Sequence, residues 1–221
     1  MKVIWSQILI KDKYSQLLII TIILFFSGSN LQGRTGSIII SAVFLSTIIA
    51  IIRTFNLKKK YFFLMLILAG ISFGLEIYSA LHGIPEQDKF FILGSCIINS
   101  LFLFAALITI NRKIFRETKV NADTIEGGIA VFLMIGALWA FLFRIVSLFD
   151  PNAFSELGDI DTLFHFSFTT LTTLGYGDVT PISNLARTLA NLEAIIGVMY
   201  PAIYIARVVG LYTAQEMIEH D

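Results

Sequence analysis

The densest run of chemically capable residues in this chain is Thr169-Thr170-Leu171-Thr172-Thr173-Leu174-Gly175-Tyr176-Gly177-Asp178-Val179-Thr180-Pro181. Its hydroxyls, its carboxylate and its backbone carbonyls offer oxygen atoms; it pairs no nucleophile with a base. Glycine tolerates backbone angles that other residues avoid, so Gly175 and Gly177 open conformations closed to an ordinary loop. Elsewhere the inventory is thin. Cys96 is the only cysteine, which excludes an intrachain disulfide and any paired-cysteine metal or redox motif. His82, His165 and His220 are too scattered to make a zinc site. With no nucleophile–base or metal constellation, the sequence is not that of an enzyme.

The elements that hold this run must sit in lipid. Of 221 residues, 56% are hydrophobic and only 14% charged, where a soluble domain carries about 25% charged residues. The chain lacks the polar surface to live in water. Net charge is zero, so no basic surplus points to nucleic acid. A spanning helix needs about 20 mostly apolar residues, because its backbone groups find no water in the bilayer. Six runs qualify, at about 15–27, 36–52, 61–81, 90–110, 127–149 and 189–212. A seventh, about 160–172, is too short to cross and lies between the last two spans.

Positive charge orients these spans. Lys and Arg number 3, 1, 4, 1, 4 and 1 along the N-terminus and the five successive loops. Basic residues favour the cytoplasmic side, so the alternation predicts six spans with both termini in the cytoplasm. For the first span a cleaved signal peptide competes, given Lys13 before it and Ser27-Gly28-Ser29 after it. A retained helix is favoured, since Val3–Ile10 is itself apolar and no Ala-x-Ala site follows. Val3–Ile10, with Trp5, reads either as a short interfacial helix or as a frayed end.

The motif Thr173-Leu174-Gly175-Tyr176-Gly177, preceded by a short helix and flanked by two spans, resembles the signature of the potassium-channel pore family. Leu174 replaces the family's usual Val. The resemblance covers about residues 127–212, and over 1–126 it extends only to topology. It implies that Thr173, Leu174, Gly175, Tyr176 and Gly177 form a selectivity filter. K⁺ sheds water there onto rings of backbone carbonyls from Thr173 to Tyr176, with the Thr173 hydroxyl at the inner mouth. One chain supplies one filter strand, so a closed ring needs three further copies. Tyr176 would wedge the loop against its helix, and Asp178 would stand at the outer mouth. Leu174 keeps its carbonyl but alters the packing behind the filter.

Around that run, Asp159 and Asp161 sit where the short helix begins, and carboxylates there suit its positive end. With Asp150, Glu156 and Asp178 they make the outer loop acidic, a field that concentrates cations in a tetramer. The fourth span, Phe90–Ile110, holds no Lys or Arg. Voltage sensing draws on about 2.3 kcal/mol per charge per 100 mV, so this helix has no lever. In the last span Pro201 removes the hydrogen bond to the carbonyl of Gly197, which marks a hinge or a fixed kink. Glu76, Arg144 and Glu193 are ionisable groups inside spans. An Arg144–Glu193 ion pair is the favoured reading, with Glu76 the alternative partner. His165, between Phe164 and Phe166, reads as a packed, hydrogen-bonded residue, with proton sensing the rival reading.

The sequence therefore predicts an all-α membrane protein with six transmembrane helices, a re-entrant pore helix, a selectivity filter and a tetrameric pore. It divides into a four-helix bundle at 1–126 and a pore domain at 127–221. Only Thr213–Asp221 follow the last span, so no cytoplasmic nucleotide- or calcium-binding domain is expected. The compact form is one expected of a prokaryotic channel in the cell membrane. K⁺ is the expected permeant ion, with no organic cofactor, and the expected partners are lipid and further copies of the chain. The competing readings are a weakly selective cation channel and a non-conducting sensor or accessory subunit with a pore-like fold.

Overall fold

The computed structural model describes residues 13–30, 67, 70, 71, 74, 89–156 and 158–220. The expected span at 36–52 lies outside the described residues. Of that at 61–81 only four positions are described, all helical, and Glu76 is not among them. Five helices make up the rest: α1 (Lys13–Asn30), α2 (Lys89–Ile114), α3 (Ala122–Phe149), α4 (Ile160–Leu171) and α5 (Asn184–His220). Among the described residues there is no strand, only an isolated antiparallel bridge between Phe154 and Pro181. The helices α2, α3 and α5 are long and apolar enough to cross a membrane. They start one to five residues before the spans expected at 90–110, 127–149 and 189–212; α3 ends where expected, and α2 and α5 run four and eight residues further.

Local sequence explains where the helices stop and start. Asn121 caps α3, its side chain accepting from the Thr124 N–H at 2.8 Å. Asp159 caps α4 in the same way, accepting from Thr162 N–H at 2.9 Å. These side chains satisfy amides that the first turn of a helix leaves without partners. The carboxylate of Asp123 does this for a different helix: it accepts from the N–H groups of Tyr14 and Ser15 at 2.7 and 3.3 Å. The starts of α1 and α3 therefore lie side by side, and a negative charge faces the positive end of α1.

The packing centres on α3. On one side Phe143 meets Phe154 and Phe166 edge-on, with ring centroids 5.7 and 5.0 Å away, and Phe154 and Phe166 are themselves 5.4 Å apart. Such edge-to-face pairs add about 0.5–1.5 kcal/mol each beyond the apolar area they bury. The cluster ties α4 and the loop before it to α3. Small residues of α3 admit large ones from its neighbours. A side chain on Gly136 would lie 2.6 Å from the ring of Phe168, and one on Gly128 would collide with the ring of Tyr204. The Tyr204 hydroxyl then donates to the carbonyl of Thr124 at 2.5 Å. Further along α5, Arg207 donates to the carbonyls of Phe115 and Glu117, which fastens the α2–α3 linker to α5.

Candidate functional site

α4 descends into the fold and stops, and the chain returns through Thr172–Thr180 to α5. The return is pinned at both ends. At the inner end, Gly175 N–H donates to the carbonyl of Thr169 at 3.0 Å and Thr173 N–H to that of Thr170 at 3.0 Å. At the outer end, Ser155 N–H donates to Thr180 O, Thr180 N–H to the Ser155 hydroxyl, and Ile182 N–H to Ala153 O. The segment before α4 thus pairs with the segment after the return, around the bridge of Phe154 and Pro181. Arg187 adds a bond from its Nε to the carbonyl of Pro181.

Between the pins the backbone alternates in hand. Thr173, Gly175 and Gly177 have φ of +59°, +53° and +78°, while Leu174 and Tyr176 are not in the left-handed region. Positive φ at every second residue sets this stretch apart from a strand, whose residues all have negative φ. Glycine takes φ above zero without penalty. Thr173 does so at a cost of about 1–2 kcal/mol, which the surrounding hydrogen bonds must hold. Leu174 and Tyr176 are 56% and 68% exposed, and nothing lies within 4 Å of a side chain added at Gly175 or Gly177. In the single chain, every residue from Thr172 to Asp178 is exposed.

Behind this stretch stands His165 of α4. Its Nε2 is 2.9 Å from Oδ2 of Asp178, and its ring stacks on Tyr176 with centroids 6.0 Å apart and planes 6° from parallel. One side chain therefore braces the tyrosine and fixes the carboxylate that follows the second glycine. The Val179 backbone N–H, with His165 beside it, holds the Asp178 carboxyl below the usual carboxylate range. At the start of α4, burial and then the neighbouring Asp159 push the Asp161 carboxyl up.

The expected ion pair of Arg144 and Glu193 is replaced by two separate arrangements. Arg144 donates through Nη1 to the carbonyl of Gly158, just before α4, where the Ser147 hydroxyl also points. Glu193 is wholly buried and meets Ser167 of α4, with Oε1 2.5 Å from Oγ. The physical reason is the position of α4. It enters between the two spans, so each charged group finds a polar partner at an edge of α4 before it can reach the other. His165 and Asp178 do form an ion pair. Cys96 and Trp139 are buried, Trp139 against Phe143. Gly197, read as half of a hinge, fits against the end of α4, where a side chain would collide with the carbonyl of Leu171. The helix runs unbroken through Pro201. Sequence reasoning missed Ser167; its signal was a lone serine inside the aromatic run Phe164–Phe168.

Residues 128–214 match the family described as ion channel. Over 45 residues, 20% of this chain and 13% of the relative, the sequence is 44% identical to the calcium-gated potassium channel TvoK of Thermoplasma volcanium. Over 83 residues, 38% of this chain and 28% of the relative, it is 32% identical to the inward rectifier potassium channel Kirbac3.1 of Paramagnetospirillum magnetotacticum. The matched stretch spans less than a third of either relative. No solved structure matches the chain.

Proposed function

Because residues 128–214 carry the pore segment of the ion-channel family and are similar to potassium channels, we propose that the chain is one of four identical subunits of a potassium-selective channel. K⁺ passes down its gradient through the axis of the ring. The observation that carries this is the alternating backbone of Thr173–Gly177, with left-handed residues at Thr173, Gly175 and Gly177. A row of carbonyls makes a cation site only when other rows face it, and in the single chain Thr172–Asp178 are exposed. Carbonyls of Thr173, Leu174, Gly175 and Tyr176 ligate the ion, Gly177 closes the row, and Asp178 draws cations to the outer mouth.

The division at residue 126 into a bundle and a pore domain belongs to the same proposal. So does a cell-membrane location with both termini in the cytoplasm. The neighbouring starts of α1 and α3 support that topology, since both would enter from the same side. The fourth helix is no steep voltage sensor: in α2 the basic groups Lys89, Arg112 and Lys113 stand at its two ends. Gating falls to α5, where the backbone at Gly197 has lost a hydrogen bond to Pro201.

The test is cation flux into liposomes that hold the purified full chain, with K⁺ and Na⁺ gradients compared and barium added. Strong preference for K⁺ with block is the expected result. Equal K⁺ and Na⁺ flux would mean a weakly selective pore, with the packing at Leu174 the cause. Silence from intact tetramers, also in a Pro201→Ala variant, would favour a non-conducting subunit.

A further inference from the structure

Three helices meet at one buried hydroxyl. The Oγ of Ser167, in the middle of α4, lies 2.8 Å from the carbonyl oxygen of Gly136 in α3 and 2.5 Å from Oε1 of Glu193 in α5. Ser167 and Glu193 are both wholly buried. A serine hydroxyl carries one hydrogen, and a carbonyl can only accept. If the Ser167 hydrogen went to Glu193, the Ser167 and Gly136 oxygens would face each other at 2.8 Å with no hydrogen between them. If it goes to Gly136, the hydrogen between Ser167 and Glu193 must come from the carboxyl group. The second oxygen supports the latter arrangement. Oε2 of Glu193 is buried without a hydrogen-bond partner, tolerable for a neutral carbonyl and costly for half of a carboxylate.

Among the described residues no positive group bonds to Glu193. Arg144 of α3 is taken by the carbonyl of Gly158, and His165 of α4 is turned to Asp178. Arg187, earlier on α5, bonds to Pro181.

We propose that Glu193, held as a neutral carboxylic acid, is the positioning residue that fixes α4 between α3 and α5. Its O–H donates to Ser167 Oγ, and the Ser167 O–H donates to the carbonyl of Gly136. In a dry site each bond of such a chain polarises the next. One turn further along α5, Gly197 abuts the carbonyl of Leu171, the last residue of α4. The same face of α5 therefore grips α4 at its middle and at its end, two residues before Thr173. The height and tilt of the proposed filter depend on both contacts. The proposal rests on the channel reading for its consequence, although not for its chemistry.

The chemistry is tested by isotope-edited infrared spectra of the purified full chain at neutral pH. A protonated-carboxyl band that vanishes in Glu193→Gln is expected; no difference between the two spectra would overturn the proposal. The positioning is tested by amide hydrogen exchange along α4 and by K⁺ flux. Glutamine keeps an N–H for Ser167, so Glu193→Gln should stay within about threefold of the parent in both readouts, while Glu193→Ala and Ser167→Ala speed exchange and lower flux by about tenfold or more. If glutamine fails as badly as alanine, or if Ser167→Ala behaves as the parent, the proposal is wrong. A parent that passes no ions would sink the channel reading alone, because the infrared band and the exchange rates decide this one without conduction.

Discussion

The two long helices α3 and α5 are built from similar apolar material and meet opposite fates in one chain. Of the spanning stretch of α3, 56% is buried, while the figure for α5 is 11%. α3 is covered on several sides by α1, α2, α4 and α5, whereas α5 shows one lined face. Along that face Ala186, Ala190, Glu193, Gly197 and Tyr204 are buried. Off it, Leu192, Ile195, Val198, Met199 and Ile203 are about half exposed. In a bilayer an apolar residue gains nothing from being hidden, so a helix commits to a partner through small residues and polar bonds. α5 shows both toward α4 and α3, and its other faces are free for lipid, an ion pathway or the other subunits of the proposed ring.

The largest expected effect breaks the α3 side of this contrast. Phe143→Ala removes the ring that Trp139, Phe154 and Phe166 all touch. Thermal unfolding in detergent should register a loss of about 3–5 kcal/mol. A loss below about 1 kcal/mol would mean that α4 is held by its polar contacts instead. A smaller pair of changes sharpens the comparison. Gly128→Ala meets the Tyr204 ring and should cost about 1–3 kcal/mol. Gly210→Ala, on α5, has open space within one chain and should stabilise the helix by up to about 1 kcal/mol. Should Gly210→Ala destabilise the assembled protein instead, a neighbouring copy occupies that space.

The smallest effect concerns acid. Asp178 is held below its ordinary carboxylate value in the folded chain. Its contribution to stability is therefore fully present above that ordinary value and is lost as pH falls through the lowered one. Between neutral pH and about pH 3, Asp178→Asn should lose less thermal stability than the parent. Both side chains of the His165–Asp178 contact are about half exposed, 46% and 50%, so the difference should be small and weaker in high salt. Equal acid profiles for the two proteins would show that the contact does not depend on the Asp178 charge.

Much of the local architecture was legible in the sequence. Apolar runs at 90–110, 127–149 and 189–212 foretold α2, α3 and α5, because a helix in lipid must satisfy its own backbone and its length is bounded by bilayer thickness. Asp159 and Asp161 foretold the start of α4, since a short carboxylate before a helical run is the cheapest cap for its free amides. Gly175 and Gly177 foretold the unusual backbone at their own positions. Thr173 did not, because its left-handed angle is imposed by its neighbours against its own preference.

The partners of buried polar groups were decided by tertiary structure alone. From the sequence, Arg144 and Glu193 were two opposite charges at similar depth, and pairing them was the simplest way to avoid an isolated charge in lipid. The fold instead inserts α4 between their helices and gives Arg144 a carbonyl and Glu193 a serine. Gly197 read as flexible and proved to be a place of close approach. His165 read as a packed, hydrogen-bonded residue; it is hydrogen-bonded, to Asp178, and stacked on Tyr176, but half exposed. In each case the sequence specified the group and its depth along a helix, which depend on rise per residue. Which neighbour the group meets depends on how several helices rotate and cross, and those angles are settled only when all their side chains pack together.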